Sequence, residues 1–126
     1  MILEHVYENY AWGRTKTIFR FDVENKKVFY SKNTPELKLI GTIENHEQTE
    51  MLSAIGKITN LNFQFESKRT GFDAGKKEYY LILNSLNKIK LGQKGNYTET
   101  SNSVNINRLV DLIDKYVKLA IEIIPK

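Results

Sequence analysis

Two spacings of apolar residues divide this chain, one of two positions and one of three to four. From Lys16 to Val23, "KTIFRFDV" sets Thr17, Phe19, Phe21 and Val23 on one side and Lys16, Arg20 and Asp22, beside Ile18, on the other. That is the alternation of a half-buried strand. "ENKK" reads as a hairpin turn, and "KVFYSK" returns with Val28 and Tyr30 opposite Phe29. Ile2 to Tyr10 is ambiguous and is assigned an edge strand.

The period then changes. Asn45 opens a helix, with Gln48 in the capping-box position and Glu44, Glu47 and Glu50 near the positive end of the helix dipole. Met51, Leu52, Ile55 and Ile58 form its apolar stripe. "NFQFES" alternates again, "KEYYLILN" is apolar enough for a central strand, and "KIKL" follows a tight link through "NSLN", giving a second meander. The last helix starts near Ser103 to Asn105 and runs close to Pro125. Its apolar face holds Ile106, Leu109, Val110, Ile113, Tyr116, Val117, Ala120 and Ile124, and Asp111/Lys115, Asp114/Lys118 and Lys118/Glu122 fall at i,i+4 on the other side. The pattern β-β-α-β-β-β-α predicts an α+β fold: one antiparallel sheet of about five strands, an extra N-terminal edge strand, and both helices on one face.

Composition narrows the class. With 126 residues, no linker and no internal repeat, residues 1–126 are expected to form a single domain. No apolar run approaches the roughly 20 residues of a membrane helix, and "MILEHVYENYAWGR" lacks the basic and apolar regions of a signal peptide. A cytoplasmic protein is expected, the alternative being the soluble domain of an exported bacterial protein with its leader removed. Without cysteine there is no disulfide, thiolate metal site or cysteine nucleophile. The excess of Lys over Arg, 15 to 4, with abundant Asn and Ile, is what an AT-rich genome encodes, as in a low-GC bacterium or its mobile elements.

Candidate chemistry is sparse. "HEQTE" at 46 to 50 matches half of a zinc-protease pattern, but Glu50 stands where the second histidine belongs. The reading is a solvated first helical turn and no metal. Gly92-Gln93-Lys94-Gly95 matches the G-X-X-G of KH domains, but a strand leads into it and it reads as a strand-ending turn. No phosphate-binding loop, nucleophile elbow or dinucleotide fingerprint occurs, so neither a cofactor nor an enzyme is expected. Phe19, Phe21, Phe63 and Phe65 have the spacing of a base-stacking platform and equally of a core face, and the two helices require the core face.

Charge is the remaining signal. Residues 14–38 hold seven basic and three acidic groups (net +4), residues 67–95 seven and two (net +5), and residues 41–66 one and four (net −3). Side by side, the two meanders would present Arg14, Lys26, Lys27, Lys68, Arg69, Lys76, Lys77, Lys88, Lys90 and Lys94 as one positive face. The expected contacts are Arg14, Lys68, Arg69, Lys76 and Lys77, with Trp12 and Phe72 as aromatic anchors. The function this predicts is that of a small binding or inhibitor protein of immunity or phage anti-defence type, acting on a protein or nucleoprotein partner. A module for RNA or other single-stranded nucleic acid is the alternative.

Overall fold

Eight strands and two helices make up the computed structural model, which describes residues 1–9, 14–58, 64–69 and 75–123. In chain order they are β1 (Ile2–Asn9), β2 (Thr15–Asp22), β3 (Lys27–Lys32), β4 (Lys38–Thr42), α1 (Asn45–Ile58), β5 (Phe65–Arg69), β6 (Lys76–Asn84), β7 (Asn87–Gly95), β8 (Tyr97–Ser101) and α2 (Val104–Ile123). All eight strands join one sheet in the order β4-β3-β2-β1-β6-β7-β8-β5, with each neighbouring pair antiparallel. From the β1–β6 pair the sheet extends through β2 and β3 to β4 on one side, and through β7 and β8 to β5 on the other. One helix follows β4 and the other follows β8.

The class is therefore as predicted, α+β with one antiparallel sheet and two helices, but the sheet has eight strands rather than about five and a different order. β1 is no edge strand. It lies at the centre, with Leu3 opposite Phe21 on β2 and Leu81 on β6. Glu4, His5 and Glu8 had masked its alternation. β4 and β8 escaped the pattern because "KLIGT" is short and contains glycine, while "YTETS" carries β-forming Thr and Tyr but no apolar period. β5 and β6 are not a hairpin, since β7 and β8 lie between them, and the second meander is β6-β7-β8. The segment Gly92 to Gly95 forms the last four residues of β7, which ends at Gly95 just before the turn into β8.

The core lies between the sheet and the helices. Leu3, Phe19, Phe21, Tyr79, Leu81 and Leu91 meet Met51, Ala54, Ile55 and Ile58 of α1 and Ile106, Leu109, Ile113 and Val117 of α2. Seven of the eight residues expected on the apolar face of α2 join this cluster or pack against it; Ile124 lies outside the described residues, as do Tyr10 and Phe63. Phe65 is half-buried on the edge strand β5. Ser103 caps α2, its hydroxyl accepting from the Ile106 amide at 3.4 Å. The capping box on α1 does not form. Gln48 instead donates to the carbonyls of Val23 and Glu24, at 2.9 and 3.1 Å, tying the helix to the end of β2.

Candidate functional site

Strand registers decide which charges meet. Lys16, Glu8, Lys76 and Gly95 share one cross-strand row, and Thr17, Tyr7, Lys77 and Lys94 the next. Arg14 precedes β2 at this end, and Arg69 pairs with Tyr97 at the end of the outer strands, with Lys68 beside it. The five expected contacts Arg14, Lys68, Arg69, Lys76 and Lys77 thus lie at one end of the sheet. Trp12 and Phe72 fall outside the described residues. The glycines at this end have a steric reason: Gly75 and Gly95 have φ of +72° and +138°, and a Cβ on Gly95 would stand 2.2 Å from the Gly75 carbonyl oxygen.

The ten-residue positive face is not assembled. Lys27 and Lys88 occupy the row at the opposite end, opposite Asp22 and Ile82, and Lys26 donates to Asn45 at 2.8 Å. On the sheet face away from the helices, charges alternate in sign. Glu4, only 2% exposed, is held by Arg20 at 2.8 Å and Lys88 at 3.0 Å, and Lys90 reaches Glu99 at 3.0 Å. The Tyr80 hydroxyl donates to Glu78, and Lys88 lies 4.1 Å from the Tyr80 ring centre. Burial, then the Glu78 carboxylate, pushes the Tyr80 hydroxyl well above the usual phenol range. That face is compensated, whereas among the described residues Arg14, Lys16, Lys68 and Lys77 have no carboxylate within 4 Å.

Just inside the basic end, on the helix side, is a polar cluster that charge counting does not reveal. Tyr79 donates to one oxygen of Asp114 on α2, and Lys94 reaches the other at 2.6 Å. Asp114 therefore serves the sheet and not Lys118; likewise Lys115 bonds Glu47 at 3.0 Å. His5 lies beside this cluster, its ring edge-on to Phe19 and Tyr79 with centroids 5.9 and 5.1 Å away. Burial, opposed by Asp114 and reinforced by Lys77 and Lys94, lowers the imidazole from 6.5 to about 4. A pocket of ≈ 380 Å³ opens here, lined by His5, Lys77, Asp114, Val117, Lys118 and Ile121. The sequence signal for His5 was its parity: Leu3, His5 and Tyr7 are alternate residues of one strand.

At the start of α1, Glu44, His46 and Glu47 each bring one ligand atom within 4.8 Å of the others. Folding already accounts for Glu47, which is 4% exposed and accepts from Lys115 and from the Tyr116 hydroxyl at 2.8 Å. Its burial would raise the carboxyl, but these two hydrogen bonds and the lysine charge hold it below its ordinary value. Glu50 pairs with Arg108 at 2.9 Å.

Comparison with protein-family models, curated proteins and solved structures finds no significant match, so this end of the molecule is interpreted from its geometry.

Proposed function

We propose that this is a small binding protein with no chemistry of its own, which holds a protein or nucleoprotein partner by the basic end of its sheet, in the manner of an immunity protein or a phage anti-defence inhibitor. The observation that carries this is the direct opposition of Lys77 and Lys94 on neighbouring strands, with Lys76 and Lys16 flanking Glu8 in the adjacent row. Like charges in register oppose folding by a few tenths of a kcal/mol or more. Asp114 offsets Lys94 and Glu78 offsets Lys76, but among the described residues Lys77, Lys16, Arg14 and Lys68 have no carboxylate within 4 Å. A surface of carboxylates or phosphates would turn that repulsion into attraction and speed encounter.

Reversing Lys68, Arg69, Lys76 and Lys77 to Glu is the test. The expected result is loss of partner binding, measured against a partner captured at low salt and then purified, with thermal stability nearly unchanged. Retained binding refutes the reading.

A nucleic-acid partner is favoured by one feature, the 54% exposed Tyr97 directly across from Arg69, a stacking surface beside a cation. Labelled single-stranded RNA, duplex RNA and DNA, offered at two salt concentrations to protein stripped of carried-over nucleic acid, separate the cases. A single strand held by these residues should show a log–log salt slope of about −0.7 per phosphate contact, reduced in the reversal variant.

A further inference from the structure

At the start of β2, on the sheet face away from the helices, lies a concavity of ≈ 620 Å³, larger than the one beside His5. Alternation assigns the face. Phe19 and Phe21 point into the core, so Lys16 and Ile18 point the other way, and Ser31 on β3 stands directly opposite Ile18. Arg14, Lys16, Ile18 and Ser31 line the space, with Asn33 and Pro35 from the segment that follows β3. Ser31 is the residue whose burial the fold does not repay. It is 3% exposed, and its hydroxyl has no hydrogen-bond partner among the described residues. Its oxygen is not sealed in as the His5 nitrogens are, so the little surface that Ser31 keeps includes the hydroxyl, at the pocket wall. A polar side chain so deeply buried normally has a partner, and here the open side is the pocket.

The rim around this hydroxyl is held in place. The Asn33 amide donates to the Lys16 carbonyl at 2.9 Å, and the Lys16 amide donates to Oδ1 of Asn33 at 2.8 Å. Asn33 takes a left-handed φ of +57° there, a conformation that asparagine tolerates better than most residues. With its oxygen used, the carboxamide has its NH2 group left to donate. The lining therefore offers a guanidinium, an ammonium, a hydroxyl and an amide NH2, and among the described residues no carboxylate lines it. Neither Arg14 nor Lys16 has a carboxylate within 4 Å.

We propose that this pocket binds a phosphate monoester, either a free sugar or nucleoside phosphate or the 5′-phosphate at the end of a strand. Such a group brings close to two negative charges at neutral pH and three strong acceptor oxygens, more of both than a carboxylate. Arg14 and Lys16 balance the charge, and the Ser31 hydroxyl and the Asn33 NH2 donate to the oxygens. The attached carbon skeleton lies along Ile18 and Pro35, in a volume near the middle of the range of about 300–1,000 Å³ typical of small-molecule sites. Arg14 and Lys16 also belong to the basic end, but the pocket does not rest on a macromolecule being held there. It is decided at Ser31, a neutral residue on which an electrostatic grip does not depend.

The probes are uridine 5′-monophosphate, glucose 6-phosphate, inorganic phosphate and uridine, with calorimetry for affinity and backbone amide shifts for location. Both monoesters should bind saturably and shift the amides of Lys16, Ile18, Ser31 and Asn33, while uridine does neither. Inorganic phosphate should bind roughly tenfold more weakly, since it leaves Ile18 and Pro35 uncovered. Ser31→Ala should weaken the monoesters about tenfold or more and leave the melting temperature unchanged, because the hydroxyl holds nothing within the fold. Oligouridine with and without a 5′-phosphate separates the sources: a phosphorylated strand that binds tighter than the mononucleotide assigns the site to strand ends, and equal affinity assigns it to free monoesters. No saturable binding of either monoester up to about 10 mM overturns the proposal. Unchanged affinity in Ser31→Ala overturns it too, since attraction by surface cations alone would then account for the binding. Monoester binding without any captured partner refutes only the reading of the basic end, and the converse refutes only this one.

Discussion

Replacing His5 by Phe should stabilise the protein, against the usual direction of core substitutions. The two nitrogens of His5 are buried without partners, and each unsatisfied group costs about 1–3 kcal/mol. Phe keeps a flat ring of similar size between Phe19 and Tyr79, preserving edge-to-face contacts worth about 0.5–1.5 kcal/mol each. A net gain of about 1–2 kcal/mol at pH 7 follows. The gain should grow on acidification. Unfolded His5 takes up its proton near 6.5 and folded His5 only near 4, so between those values the unfolded state binds more protons and wild-type stability falls as the pH drops. At about 1.36 kcal/mol per pH unit, the advantage of the variant should be about 2 kcal/mol larger at pH 5 than at pH 7. Urea denaturation at both pH values, in a His46→Gln background so that one imidazole titrates, measures both quantities. Carboxylates such as Glu47 and Glu78 are common to both proteins and drop out of the difference. A variant less stable than wild type by more than about 1 kcal/mol at pH 7, or a difference that ignores pH, refutes the reasoning.

Tyr116→Phe should cost about 1–3 kcal/mol by urea midpoint, since its hydroxyl both donates to buried Glu47 and accepts the Glu44 amide at 2.9 Å. Gly95→Ala should destabilise by more than about 1 kcal/mol, because its φ is left-handed and the Gly75 carbonyl occupies the space of a Cβ. Lys77→Glu, facing Lys94, should leave the melting temperature unchanged or raise it, with a gain of about 0.2–1 kcal/mol. Leu86→Ser, at a hairpin tip where the side chain is 91% exposed, serves as a control and should stay within about 0.5 kcal/mol of wild type.

Where the apolar period was strong, the sequence was readable. Phe19 and Phe21, the α1 stripe and the α2 face were all placed in the core by spacing alone, because burial on one side leaves a period that no other constraint imposes. β1 failed that test for a physical reason. A central strand with one face in the core and the other in a charge network can carry Glu4 between Arg20 and Lys88, and such a carboxylate looks like solvent exposure until its partners are known. The same holds for the site. The basic residues at the strand ends were visible as composition, yet their division between two ends and two faces depends on register, which local sequence does not encode. His5 and Asp114 sit 109 positions apart and meet only because α2 crosses back over β6.

The pairing of β1 with β6 has a consequence for how the chain is made. It joins Ile2 to Ile82 and Glu8 to Lys76, so β1 lacks one of its two strand partners until β6 has been made. A β4-β3-β2-β1 fragment formed in that interval would leave one edge of β1 unpaired, the kind of template that recruits stray strands. The same seam offers a place to divide the molecule. Two polypeptides, one carrying β1 to α1 and the other β5 to α2, would have complementary edges, and their reassembly by strand addition would make the protein a conditional, two-component one.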